Sequence, residues 1–197
     1  MKKVIAILVQ IVLVAQIVLL LVSWLIAAAM PQSAVRSLLS SEGIRWLFGS
    51  LTGNLATPTL LCLILILMAV GTMRKSGIRH LFVRATYRQR FALRVVIAEL
   101  VLMLVVLLLL TAVPGAPLLS VIGVLFPSSF TDSLLPVLCI AVIVVSLSYG
   151  FVSGRLSNRE SALDAMTHGL TRWGSLIVLY LVLAEFLESL RYVFSTL

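Results

Sequence analysis

Two carboxyl groups interrupt long apolar stretches of this chain: Glu99 in FALRVVIAELVLMLVVLLLL and Glu185 in SLIVLYLVLAEFLESLRYV. Burying a carboxyl costs several kcal/mol unless it is neutral or paired, so each needs a reason to be there. A protonated carboxyl hydrogen-bonds without charge, whereas an ionised one needs a cation. Glu99 follows Arg94 by five residues, which makes that arginine or another membrane-edge cation its structural partner. Near Glu185 the chain offers Glu188 and Arg191, and these two stand at i, i+3 and pair with each other on one helix face. Glu185 is therefore the first candidate for contact with a substrate or a coupling proton, and Glu99 the second. Other chemistries lack their residues: no Ser/His/Asp, Cys/His or metal-ligand spacing occurs, and the two histidines, His80 and His168, lie in polar connectors. Cys62 and Cys139 each sit inside an apolar run, which argues against a disulfide. No enzyme activity, no cofactor and no metal are expected.

The elements that would hold these carboxyls are membrane spans. Of 197 residues 61% are hydrophobic and only 11% charged, a balance that a soluble single-core domain does not need. The net charge of +8 does not point to nucleic acid, because the cations stand beside apolar runs. Arg74, Lys75, Arg79, Arg84, Arg88, Arg90 and Arg94 fall in one segment without an acidic residue, between two runs long enough to cross a bilayer. Short loops rich in Lys and Arg stay on the cytoplasmic side. The segment 74–90 is read as a cytoplasmic loop that contacts anionic lipid headgroups.

From that loop the rest can be threaded. Lys2 and Lys3 precede an apolar run to Met30, too long for a signal-peptide core, and it reads as an uncleaved first span over about 4–30 with a cytoplasmic N-terminus. Gln16 and Ser23 lie a heptad apart in it and predict hydrogen bonds between helices. Residues of about 33–51 carry apolar positions at helical spacing with Trp46 among them, which predicts one or two amphipathic helices in the membrane surface, the second capped by Ser40 or Ser41. Further spans are expected at about 57–73, 91–113, 135–152 and 175–193. Tyr149 reads as an interface anchor, and Gly150 with Gly154 as a small-xxx-small pair for close helix packing. A short helix with Leu163, Met166 and Leu170 on one face follows, in a cytoplasmic connector. The sum is an all-α membrane protein with about five transmembrane helices plus short interfacial amphipathic helices, in a single integral membrane domain.

Two stretches carry a family resemblance. VRSLLSSEGIRWLFGSLTGNLATPTLLCLILILMAVGTMRKSGI resembles the N-terminal segment of the p-aminobenzoyl-glutamate transporter (AbgT) family, at Leu39, Ser40, Glu42, Gly43, Ile44, Arg45 and Trp46, then Gly71, Lys75, Ser76 and Gly77. SYGFVSGRLSNRESALDAMTHGLTRWGSLIVLYLVLAEFLESL is similar to a later segment, at Tyr149, Gly150, Gly154, Asp164, Met166, Gly174 and Phe186. The resemblance implies a shortened or divergent member, in the bacterial inner membrane, that moves p-aminobenzoyl-glutamate or related aromatic anions or drugs with a coupled cation. Where the family has helices broken by Asn, Asp, Gly and Pro around the substrate, this chain shows no such break, neither in its Leu/Val-rich middle nor in the fifth span, so no substrate residue carries over. The alternative reading is a non-transporting scaffold or accessory subunit of a larger membrane complex. The expected partners are the lipid bilayer, further copies or another membrane protein, and a small-molecule substrate.

Overall fold

A computed structural model describes residues 2–30, 32, 35–78, 87–112 and 129–194. Every regular element among them is an α-helix: α1 (Lys2–Ala29), α2 (Ser41–Leu55), α3 (Pro58–Ser76), α4 (Tyr87–Ala112), α5 (Ser129–Ser153), α6 (Arg159–Trp173) and α7 (Ser175–Phe194). Four of them, α1, α3, α4 and α5, are long and apolar enough to cross a membrane. α7 matches α3 in length but carries Glu185, Glu188 and Arg191. α1 makes the solvent argument: it is apolar on every side, yet only Ile5 and Ser23 are buried, and Leu25 is 61% exposed. In water such a helix would be covered; in hydrocarbon it needs no cover.

The helices form two compact units, residues 1–61 with 173–197, and residues 62–172. In the first unit, α1 and α7 run parallel. Gln16 meets Ser189, and Leu19 and Leu20 meet Tyr192 and Val193 about a turn further along both. α2 runs antiparallel to α7, as three contacts in opposite order show: Trp46 stacks on Tyr192, Asn54 reaches Glu185, and Thr57 bonds to Tyr180. Within about 33–51, where the sequence predicts one or two amphipathic helices, one is found. Residues 35–40 are not helical, and one helix, starting at Ser41, lies along α7. Its contact with α7 runs through Trp46 and Asn54, while Ile44, Phe48 and Leu51 of its apolar stripe stay exposed; Leu38, ahead of the helix, is fully buried beside Tyr192 and Val193.

Ser40 is the N-cap of α2; its Oγ accepts from Gly43 N–H at 3.0 Å and donates to Ser37 O at 2.8 Å. Ser40→Ala should lower stability by about 1 kcal/mol, while Ser41→Ala should be nearly neutral. A detergent thermal melt of the two variants beside the parent checks this.

In the second unit, α4 and α5 are antiparallel. Ala92 and Val96 pack with Val145 and Tyr149, and the Arg88 guanidinium lies against Gly154. Tyr149 is therefore not an interface anchor: it is 2% exposed and fills the α4–α5 seam. α3 lies beside α5 in the same sense, through Ala69 with Cys139 and Ile143, then Ser76 with Gly150. Gly150 and Gly154, spaced as a packing pair, divide into two jobs. Gly150 takes the Leu156 side chain, which returns over the helix end. Gly154 has φ +79° and stops α5, while Arg155 and Leu156 N–H both donate to Gly150 O at 3.0 Å. A close helix approach in this unit lies elsewhere, between α3 and α6, where Gly71 and Gly169 bring backbone onto backbone.

Candidate functional site

A group of polar side chains lies among α1, α2 and α7. α1 brings Gln16 and Ser23 to one face because seven residues are close to two helical turns. Gln16 Nε2 donates to Ser189 Oγ at 2.9 Å, and Leu38 N–H donates to Ser23 Oγ at 3.3 Å. Gln16 thus makes the interhelical hydrogen bond that its spacing predicts, while Ser23 holds the non-helical chain at Leu38. On α7, Glu185 is one turn before Ser189 and shares its face. The carboxyl Oε2 accepts from Asn54 Nδ2 at 3.5 Å, near the limit of a hydrogen bond.

Asn54 is placed there by a chain break. α2 ends at Leu55, residues 56 and 57 leave the helix, and Pro58 opens α3. Pro58 has no N–H to lose at a first turn, and Thr57 Oγ1 accepts from Leu60 N–H at 3.4 Å. Thr57 also shares a hydrogen bond with the Tyr180 hydroxyl. Asn54 thus stands in the last turn of α2, just before the joint to α3.

Two acceptor atoms of this group have no partner among the described residues: Gln16 Oε1 and Glu185 Oε1, both buried. Both residues line one cavity of about 210 Å³, whose other walls are Leu13, Leu51, Leu55, Leu181 and Val182. Orphaned buried acceptors in apolar walls call for a donor, a proton or a small cation. Among the described residues no cation pairs with Glu185: the ion pair beside it is Arg191 Nη1 to Glu188 Oε1 at 2.6 Å, on an exposed face as its spacing predicts.

Glu99 belongs to the second unit, in the α4–α5 seam. Its Oε1 accepts from Ser148 Oγ at 3.1 Å and its Oε2 is buried without a partner. Arg94 is not its partner; a hydroxyl from α5 takes that place. Of the basic residues read as a topology and lipid-contact set, Arg74 and Lys75 end α3, and Arg88 and Arg90 stand in the first turn of α4. Arg79, Arg84 and His80 lie outside the described residues. Among the described residues no His, Cys, Asp and Glu cluster could hold a metal ion.

A family model described as the AbgT putative transporter family matches residues 79–193, more than half of the chain. The chain belongs to the AbgT transporter family. The AbgT match covers α4 to α7, and so both Glu99 and Glu185. It takes in the later of the two resembling stretches and leaves the earlier one, with Gln16 and Asn54, outside. No curated protein and no solved structure matches.

Asn54, Thr57 and Tyr180 were not among the residues singled out by sequence. Asn54 four residues before Pro58 is a signal for a helix end, but only the fold shows which carboxyl it meets. Gly169 had a signal too, since Ala165 and Gly169 repeat the small-xxx-small spacing. The large apolar residues of α6 are the more conspicuous signal, yet Leu163 is 62% exposed.

Proposed function

We propose that this AbgT member is a secondary transporter that moves an amphipathic aromatic anion of the p-aminobenzoyl-glutamate class together with a cation bound at Glu185. The observation that carries it is the pair of orphaned acceptors, Gln16 Oε1 and Glu185 Oε1, on one apolar cavity. An ionised carboxylate there would repel an acidic substrate, at an energy that grows as the dielectric falls. A proton or small cation on Glu185 removes that repulsion, so the site ties anion entry to cation entry.

In this reading α7 is the fifth crossing. Its parallel course beside α1 agrees with five alternating spans, the N-terminus and basic loop on the cytoplasmic side of a bacterial inner membrane. Assembly with further copies, or with another membrane protein, would complete the enclosure of a path.

The test is uptake of labelled p-aminobenzoyl-glutamate by the full chain in proteoliposomes under an imposed proton or sodium gradient. Accumulation that collapses with the gradient is expected. Flux no greater than in empty liposomes under either gradient would overturn the reading in favour of an accessory subunit.

A further inference from the structure

At one end of the second unit three helix ends meet: the C-termini of α3 and α5 and the N-terminus of α4. α3 and α5 stop there at glycines in the left-handed region, Gly77 at φ +73° and Gly154 at φ +79°. Each glycine is covered by an arginine from another element. The Arg155 guanidinium occupies the space a Cβ on Gly77 would take, and a Cβ on Gly154 would stand 3.1 Å from Arg88 Nη1. Carbonyl ends of helices attract guanidinium groups, so these contacts fix where two flexible cations sit.

Fixing them does not neutralise them. Arg88 and Arg155 are both exposed, and among the described residues neither has a carboxylate within ion-pair distance. One turn into the helices from these arginines stand exposed aromatics, Phe91 at 55% on α4 and Phe151 at 43% on α5. A soluble anion would use the cations and leave the rings idle. A phospholipid uses both, its phosphate on the guanidinium forks and its acyl chains over Phe91 and Phe151.

We propose that Arg88 and Arg155 form a binding site for the headgroup of an anionic phospholipid, with Phe91 and Phe151 seating its chains. Gly77 and Gly154 are positioning residues of that site. The site is independent of Glu185 and of transport.

The test is native mass spectrometry of the full chain, exchanged in detergent into equal phosphatidylglycerol and phosphatidylcholine. The parent should retain phosphatidylglycerol preferentially. The Arg88→Gln/Arg155→Gln double variant should lose that retention by roughly 30-fold, whereas Arg36→Gln/Arg45→Gln, which removes the same charge elsewhere, should keep it. Equal retention of the two lipids by the parent overturns the proposal however the variants fold. So do equal losses in the two double variants, which would leave only diffuse charge, and displacement by glycerol phosphate at millimolar level, which would leave a free-phosphate site.

Discussion

Glu185→Gln is expected to leave substrate exchange intact while abolishing accumulation against a gradient. Glutamine keeps the size and one acceptor oxygen of a protonated glutamate, but it cannot give up or take a proton. The bond from Asn54 Nδ2 can persist, because the amide oxygen accepts as the carboxyl oxygen does. What disappears is the charge change that couples anion and cation. In proteoliposomes, counterflow of labelled against unlabelled substrate should continue at a rate near that of the parent, while gradient-driven uptake falls to background. Uptake equal to that of the parent would remove Glu185 from the coupling role. Glu99→Gln is the comparison: Glu99 keeps its oxygen on Ser148 in the other unit, so this change should leave accumulation largely in place. If Glu99→Gln abolishes accumulation and Glu185→Gln does not, the roles are exchanged.

Gly169→Ala is the second large effect, on stability. The added Cβ would sit on the Leu67 carbonyl oxygen of α3, and the atoms it meets are backbone, which cannot swing aside. Overpacking of this kind costs about 1–3 kcal/mol, and a backbone collision belongs at the upper end. Gly71→Ala meets Gly169 N and Cα from the opposite side, so once one change has parted the helices the other should cost less. Gly49 and Gly53 of α2 are the controls. A Cβ at either meets nothing within 4 Å, and the gain in helix propensity should stabilise each alanine variant by up to about 1 kcal/mol. Thermal melts in one detergent would show Gly169→Ala falling and Gly49→Ala level or rising. A Gly169→Ala variant that melts with the parent would mean that α3 and α6 separate freely.

The helices themselves were legible because a bilayer allows few choices. Backbone in hydrocarbon must bond within its own helix, so an apolar run announces both the element and its length. Boundaries were less so. α5 was expected from about 135 and begins at Ser129, passing through Pro136 in its third turn, where the missing N–H removes one hydrogen bond of the helix. α4 begins at Tyr87 rather than 91, because a helix that leaves the apolar layer continues through Arg88 and Arg90 at small cost. Of the candidate site, Glu185 stood out as a charge among apolar neighbours, and Gln16 as a polar stripe. Asn54 and Thr57 did not, because their part is fixed by α2 lying along α7, a pairing of segments far apart in the chain. Tyr149 misled for a related reason: a tyrosine near a span end looks like an anchor until the neighbouring helix is known to cover it.

The parallel course of α1 and α7 bears on how this protein is made. Parallel neighbours cannot be joined by a tight turn, and here the whole of residues 62–172 is threaded between the two parts of the first unit. During synthesis α1 and α2 are complete before α7, so Gln16 and Asn54 are made ahead of the partners they have in the fold. Only when α7 leaves the exit tunnel can Ser189 and Glu185 meet them. A nascent chain arrested near Trp173 should therefore be an early target of membrane quality-control proteases, and one arrested past Phe194, with enough following sequence to clear the tunnel, should escape them.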